Sequence, residues 1–302
     1  NPAGLQKDAN KEYIIKRCFD ATLKTVGRNI TTEVLANAQL VSAKFVEMYL
    51  CTDGLPIDKS PLFKGYETMR GEWMNRDIRM QYTLMRPGDN FWDASEKNSR
   101  IDWSGSEDEI RRAKYKNFTP NWGSGYFPQK WATERSLGTD DKNASYDWPV
   151  LRYAEVLLNY AEAVYERDGE ISDADLNISL NLTRKRVNKA MPALSNAFVA
   201  ANGLDMRTEI RRERTIELFQ EGFRIDDLRR WKTAETEMPM DFCGIMHTGE
   251  WKNRWAKPGV PLNADKRLVI ESGRVWAERN YLHPLPIDQL QLNPNLGQNP
   301  DW

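Results

Sequence analysis

The stretch RRERTIELFQEGFRIDDLRRW, residues 211–231, places six arginines, five carboxylates and a tryptophan in 21 positions and contains no lysine. That density leaves few folding solutions: a nucleic-acid surface, a catalytic carboxylate pair, or a buried ion-pair lattice that joins helices. Charge argues against the first. The chain carries 43 Lys plus Arg against 44 Asp plus Glu, and acids alternate with bases within the stretch, whereas a phosphate-binding face needs a net positive field. Arginine without lysine favours fixed geometry, because the planar guanidinium bonds carboxylates bidentately and is easier to desolvate than an ammonium. Glu213 and Glu217, one turn apart, therefore read as lattice acceptors rather than an acid/base couple. Arg211, Arg212 and Arg214 are the expected donors, and Glu155 and Glu162 the expected partners from an earlier helix.

Helical spacing is clear in three places. Val34, Leu35, Ala38, Val41, Phe45 and Met48 predict a helix of about four turns over 34–49. From Pro149, Leu151, Ala154, Leu158, Ala161 and Tyr165 form one apolar stripe and Tyr153, Leu157, Tyr160 and Val164 a second, which predicts burial on two sides before Gly169 ends the helix. A partner helix is expected from about Ser172 to Lys189, and a further pair over 205–231 broken at Gly222. Helix pairs of this kind stack on one another, so the expected architecture is mainly α, with tetratricopeptide-like helix pairs wrapped by long loops and a few short strands. The first 33 residues read as extended around Tyr13–Phe19. Residues 55–148 are rich in Gly, Pro, Asn, Asp and Trp without a sustained period, and 239–302 end in YLHPLPIDQLQLNPNLGQNPDW, whose prolines forbid long helices. The expectation is a single domain over 1–302: a loop-rich ligand region at about 55–148, a helical core at about 149–233 and a C-terminal wrap at about 239–302.

Raw material for several chemistries is missing. Cys18, Cys51 and Cys243 lie far apart without a C-x-x-C spacing, and His247 and His283 are the only histidines. Neither a disulfide framework, a metal site nor a Ser-His or Cys-His nucleophile is indicated, and no cofactor is expected. The N-terminus lacks the pattern of a signal peptide, and no run of about 18 apolar residues occurs.

Four segments carry a family resemblance: VLRYAEVLLNYAEA at 150–163, IRRERTIELFQEGFRIDDLRRW at 210–231, the closing YLHPLPIDQLQLNPNLGQNPDW, and DG at 53–54 followed by NRDIRM at 75–80; GYFPQKW at 125–131 is a weaker fifth. In order and content they resemble the SusD/RagB family of surface nutrient-binding lipoproteins. The resemblance implies a non-catalytic helical scaffold that holds a glycan at the cell surface, tethered by lipid to the outer membrane of Bacteroidetes-type bacteria. Its implied partner is a SusC-like TonB-dependent transporter. Family members are usually longer, so the chain resembles their C-terminal portion, without the lipid-bearing start. His283 and Asp301 depart from the family pattern, which commonly has an aromatic or apolar residue and a glycine there.

The family motifs describe scaffold, so the ligand site has to come from the residues themselves. Sugar rings stack their C–H faces on aromatic platforms and bond their hydroxyls to nearby carboxylates, amides or arginine. The loops at 90–131 supply that mixture: Trp92, Trp103 and Trp122 as platforms, with Asn90, Asp93, Arg100 and Asp102 beside them. Tyr126 and Trp131 fall in the scaffold-like GYFPQKW segment, and Trp251 and Trp255 with Arg254 form a second candidate platform. Two rival readings stay open: a glycoside hydrolase drawing two carboxylates from Asp93, Asp102 and Asp108, and a tetratricopeptide-type scaffold for an extended peptide.

Overall fold

The structure is a computed structural model and describes residues 10–20, 22–23, 40–86, 124–131, 147–254, 259, 261–293 and 295–302. It is helix-rich with few short strands, and the chain divides into two compact units, residues 1–218 with 243–270 and residues 219–242 with 271–302.

In the first unit, strand β1 (Tyr13–Arg17) is where the extended N-terminal segment is expected. Helix α1 covers Ala43–Met48 with the Ser42 side chain capping its first turn. The helix expected over 34–49 therefore does not run through: residues 40–42 are non-helical, and 34–39 lie outside the described residues. Helix α2 (Arg79–Thr83) leads directly into strand β2 (Leu84–Met85), which pairs antiparallel with β3 (Phe127–Pro128). Strand β4 (Trp148–Arg152) pairs antiparallel with β1. This is why helix α3 starts at Tyr153 and ends at Asp168, later than Pro149: residues 148–152 give their backbone groups to a ladder. Gly169, at φ 76, closes α3 in the left-handed region.

Only one side of α3 is buried. Ala154, Leu157, Leu158, Ala161 and Glu162 face the core, so of the expected second apolar stripe Leu157 is buried and Val164 half-buried, while Tyr153 and Tyr160 stay at the surface. Tyr160 is amphipathic, and its hydroxyl donates to Asp175 at 2.7 Å. The expected partner helix is two pieces, α4 (Asp173–Ile178) and α5 (Leu180–Lys185), broken at Ser179, whose hydroxyl donates back to the Asp175 carbonyl. Helix α6 (Asn196–Ala201) precedes α7 (Met206–Glu217), which is capped by Asp205 and packs on α3, α5 and α1. After the second unit, the chain returns to the first with β5 (Phe242–Met246), α10 (Gly249–Arg254) and β6 (Arg267–Glu271).

The charged residues of α7 organise this unit. Arg79, buried, pairs with Asp77 at 2.7 Å, Glu213 at 2.5 Å and Glu217 at 3.1 Å. Arg152 reaches Glu217 at 2.8 Å and also donates to its backbone carbonyl at 2.7 Å; Arg186 reaches Glu217 at 2.9 Å. The Thr183 hydroxyl donates to Glu213, and the Lys130 ammonium to the Glu217 carbonyl. Burial alone would push the Glu217 carboxyl up, but Arg186, Arg152, Arg79 and Lys130 outweigh it and hold the group well below the usual carboxylate range. The arginines of α7 itself have other roles. Arg211 pairs with Glu166 at the surface and Arg212 with Glu209, so the donors expected for Glu213 and Glu217 are replaced by Arg79, Arg152 and Arg186. Arg214 approaches Glu162 at 3.9 Å and donates to Asn159 at 2.8 Å; Glu155 is half-buried.

Two more arginines cap backbone. Arg76 donates to the carbonyls of Val46 and Tyr49 at the end of α1 and to that of Glu72. Arg184 donates to the carbonyls of Pro192 and Gly54, and Gly54, at φ 80, has no room for a side chain because a Cβ would stand 2.8 Å from that guanidinium. Beside them Glu72, buried, accepts from the Tyr126 hydroxyl at 2.9 Å. Burial raises its carboxyl from 4.5 to about 7, against the lowering effects of Tyr126, Arg76 and Arg267.

The second unit holds α8 (Arg224–Arg230), α9 (Ala234–Glu237) and α11 (Ile287–Leu292), with a 3-10 turn at Glu278–Tyr281. The closing segment folds on itself. The Trp302 indole N–H donates to the carbonyls of Arg279 and Leu282, and Gln298 bonds both backbone groups of Leu285. Leu282 and Ile287 are more than half exposed, whereas Tyr281, Leu285 and Leu290 are half-buried.

Two predictions follow from the buried charges. Arg79→Ala leaves Asp77, Glu213 and Glu217 short of their shared cation and should destabilise by about 3–5 kcal/mol in denaturant unfolding, with Arg79→Lys recovering only part because an ammonium cannot span three carboxylates. A loss of a few tenths would contradict the lattice. Because the folded-state value of Glu72 is raised, the stability it contributes is complete below its ordinary 4.5 and lost as pH rises through about 7. Glu72→Gln should therefore gain on the parent by about 3 kcal/mol between those limits; a stability difference independent of pH would refute this.

Candidate ligand-binding region

Asn90, Trp92, Asp93, Arg100, Asp102, Trp103, Asp108 and Trp122 lie outside the described residues. What the structure does place is the scaffold at both ends of the segment that carries them. Met85 pairs with Phe127 and Leu84 with Pro128, so residues 85 and 127 stand side by side in the β2–β3 ladder. Gln129 locks that ladder: its backbone N–H donates to the Thr83 carbonyl at 2.7 Å, and its side-chain amide donates to the carbonyls of Leu84 and Gln81. The next residue, Lys130, bonds the Glu217 carbonyl, which ties the ladder to the ion lattice.

Trp131 follows at φ 69, a left-handed backbone that a bulky side chain rarely adopts. Its ring lies 4.6 Å from that of Trp148 at 36°, and both are half-buried. This pair brackets residues 132–146 as the β2–β3 ladder brackets 87–123. Sequence alone gave no reason to join Trp131 with Trp148, because the contact depends on a backbone conformation that side-chain type disfavours. Asp147, beside Trp148, is buried against Lys16 at 2.8 Å.

The second candidate platform is corrected. Trp251 is 1% exposed on α10, in the core, and cannot present a face to a sugar. Trp255 and the side chain of Arg254 lie outside the described residues. Tyr126 is buried with its hydroxyl on Glu72, in keeping with a scaffold role. Among the described residues, no group of three or more His, Cys, Asp or Glu side chains is placed to hold a metal.

The second unit contains an open cavity of about 430 Å³. Arg229, Arg230, Lys232 and Arg279 contribute four cations to its wall, against Glu278 and Asp301. Arg229 donates to His283 Nε2 at 2.9 Å, so that ring nitrogen is an acceptor.

The model of the SusD family matches residues 11–302. A search of curated proteins returns no match. Among solved structures, the chain is similar to a SusD-like carbohydrate binding protein from Bacteroides fragilis at 23% identity and a TM-score of 0.69, covering 96% of this chain and 55% of that one. It is also similar to a SusD-like protein from Bacteroides fragilis at 21% identity and a TM-score of 0.67, covering 100% of this chain and 57% of that one. At these identities the likeness is one of fold, and the chain spans a little over half the length of each structure. Since the match runs from residue 11 to the last residue, the chain belongs to the SusD family.

Proposed function

We propose that this chain binds an oligosaccharide without cleaving it, at the outer-membrane surface, and delivers it to a SusC-like TonB-dependent transporter. The observation that carries the reading is membership of the SusD family over residues 11–302, supported by the fold shared with a carbohydrate binding protein of that family. In this reading, α3 with α4, α5 and α7 is the tetratricopeptide-like part of the scaffold. The loop between β2 and β3 carries the platforms Trp92, Trp103 and Trp122, with Asn90, Asp93, Arg100 and Asp102 bonding sugar hydroxyls. The β2–β3 ladder and Lys130 tie the two ends of that segment to the lattice, so it leaves and rejoins the scaffold at ordered elements. A lipid anchor would supply the membrane tether.

The carboxylates buried in the scaffold are already engaged: Asp77, Glu213 and Glu217 by arginine and Glu72 by a tyrosine hydroxyl. None of these four is free to act as a hydrolytic pair, and the hydrolase reading would have to draw on Asp93, Asp102 and Asp108 instead. Calorimetry on a panel of oligosaccharides should show binding, with at least one of Trp92→Ala, Trp103→Ala and Trp122→Ala weakening it about fivefold, the equivalent of roughly 1 kcal/mol of stacking. No new reducing ends should form during prolonged incubation. Binding unchanged in all three variants would displace the site, and the appearance of new reducing ends would favour the hydrolase.

A further inference from the structure

We propose that the cavity of the second unit is a separate binding site for an acidic saccharide unit, one bearing a uronate carboxylate or a sulfate ester. Its walls combine the two chemistries such a ligand needs. Tyr281, Leu282 and Pro300 give an apolar surface for the C–H face of a sugar ring, and about 430 Å³ is room for one or two rings. The cationic part is only partly neutralised. Arg230 is paired with the buried Asp227 at 2.7 Å and Lys232 with Glu278 at 3.3 Å, while its ammonium sits 3.6 Å over the Tyr281 ring.

Arg229 and Arg279 are different. Arg229 donates to an imidazole nitrogen at 2.9 Å, its paired carboxylate is the exposed Asp226 at 3.9 Å, and its Nε–H is buried without an acceptor. Arg279 donates to the neutral carbonyl of Asp301 at 3.3 Å and lies 5.0 Å over the Trp302 ring. Two guanidiniums with uncommitted N–H groups lining one cavity suit a planar carboxylate or a sulfate. The wall is held in advance of any ligand, since the Trp302 indole bonds the carbonyls of Arg279 and Leu282 at 3.0 Å and 3.1 Å. Asp301 works against an anion: it lines the cavity at φ 65, in a left-handed conformation that favours glycine.

This inference rests on the saccharide reading above for its ligand class, but not on the loop tryptophans. Calorimetry on the full chain would compare a trigalacturonate, a sulfated heparin-derived disaccharide and neutral maltotriose. The expected result is that one of the acidic saccharides binds about tenfold or more tighter than the neutral one at low salt, with the advantage shrinking as salt is added. Arg279→Gln, at an exposed position, and Arg229→Gln should each remove most of that advantage. Asp301→Gly should enlarge it, and combined Trp92→Ala, Trp103→Ala and Trp122→Ala should leave the affinity for the acidic saccharide intact. Equal binding of acidic and neutral saccharides, or an acidic preference that survives both arginine variants, would overturn the site. Neutral binding lost in the triple tryptophan variant, with no acidic preference in the parent, would sink this inference and leave the proposed function standing. No binding of any saccharide would sink both.

Discussion

The contact on which the first unit depends is the one between the Arg79 guanidinium and the carboxylates of Glu213 and Glu217. Both glutamates lie on α7, next to Ile216 and Ile210 and away from water, where an unpaired carboxylate is prohibitively costly. Their countercharges come from Arg79 in α2, Arg152 at the end of β4 and Arg186 just past α5. Segments separated by up to 138 residues must therefore arrive together, or charge is left stranded. A buried lattice of this kind adds little net stability over apolar packing, because desolvation offsets the Coulomb gain. What it fixes is geometry, since a bidentate guanidinium accepts few alternative registers.

That geometry passes outward to the parts of the chain suited to bind. The Glu217 backbone carbonyl accepts from Arg152 and from Lys130, and Lys130 lies one residue beyond Gln129, which clamps the β2–β3 ladder. In the proposed function, the segment between the two strands can vary in sequence without disturbing the lattice. The division of labour also explains why the motifs that mark the family, NRDIRM, DG and the arginine-rich stretch, are occupied with caps and ion pairs: Arg76 on the end of α1, Arg184 on Gly54, Arg79 on α7.

Much of this was legible in the sequence, and the limits have physical causes. Lysine-free charge density in residues 211–231 pointed to buried glutamates, and Glu213 and Glu217 are buried. Their partners were not legible, because spacing along one helix favours the nearby Arg211 and Arg212, whereas the arginines used come from segments brought close only by folding. The start of α3 is not legible because Val150 and Leu151 fit a strand as well as a helix, and the competing partner, β1, is over a hundred residues away. Tyr153 and Tyr160 were read as core because their rings are apolar, yet both stay at the surface. Trp251 looked like a platform until its burial showed that it belongs to the core. The cavity of the second unit had no sequence signature, since it joins α8 to the closing segment and depends on the Trp302 indole bonds.

The central claim is that a lattice-held scaffold presents aromatic loops that retain an oligosaccharide intact. A crystal structure of the chain with the saccharide that it retains most tightly on a glycan array tests this most directly. The account predicts an uncleaved ligand with a sugar ring stacked on Trp92, Trp103 or Trp122, and the Arg79, Glu213 and Glu217 contacts unchanged beneath it. A hydrolysed ligand, or an intact one whose rings touch none of those tryptophans, would contradict it.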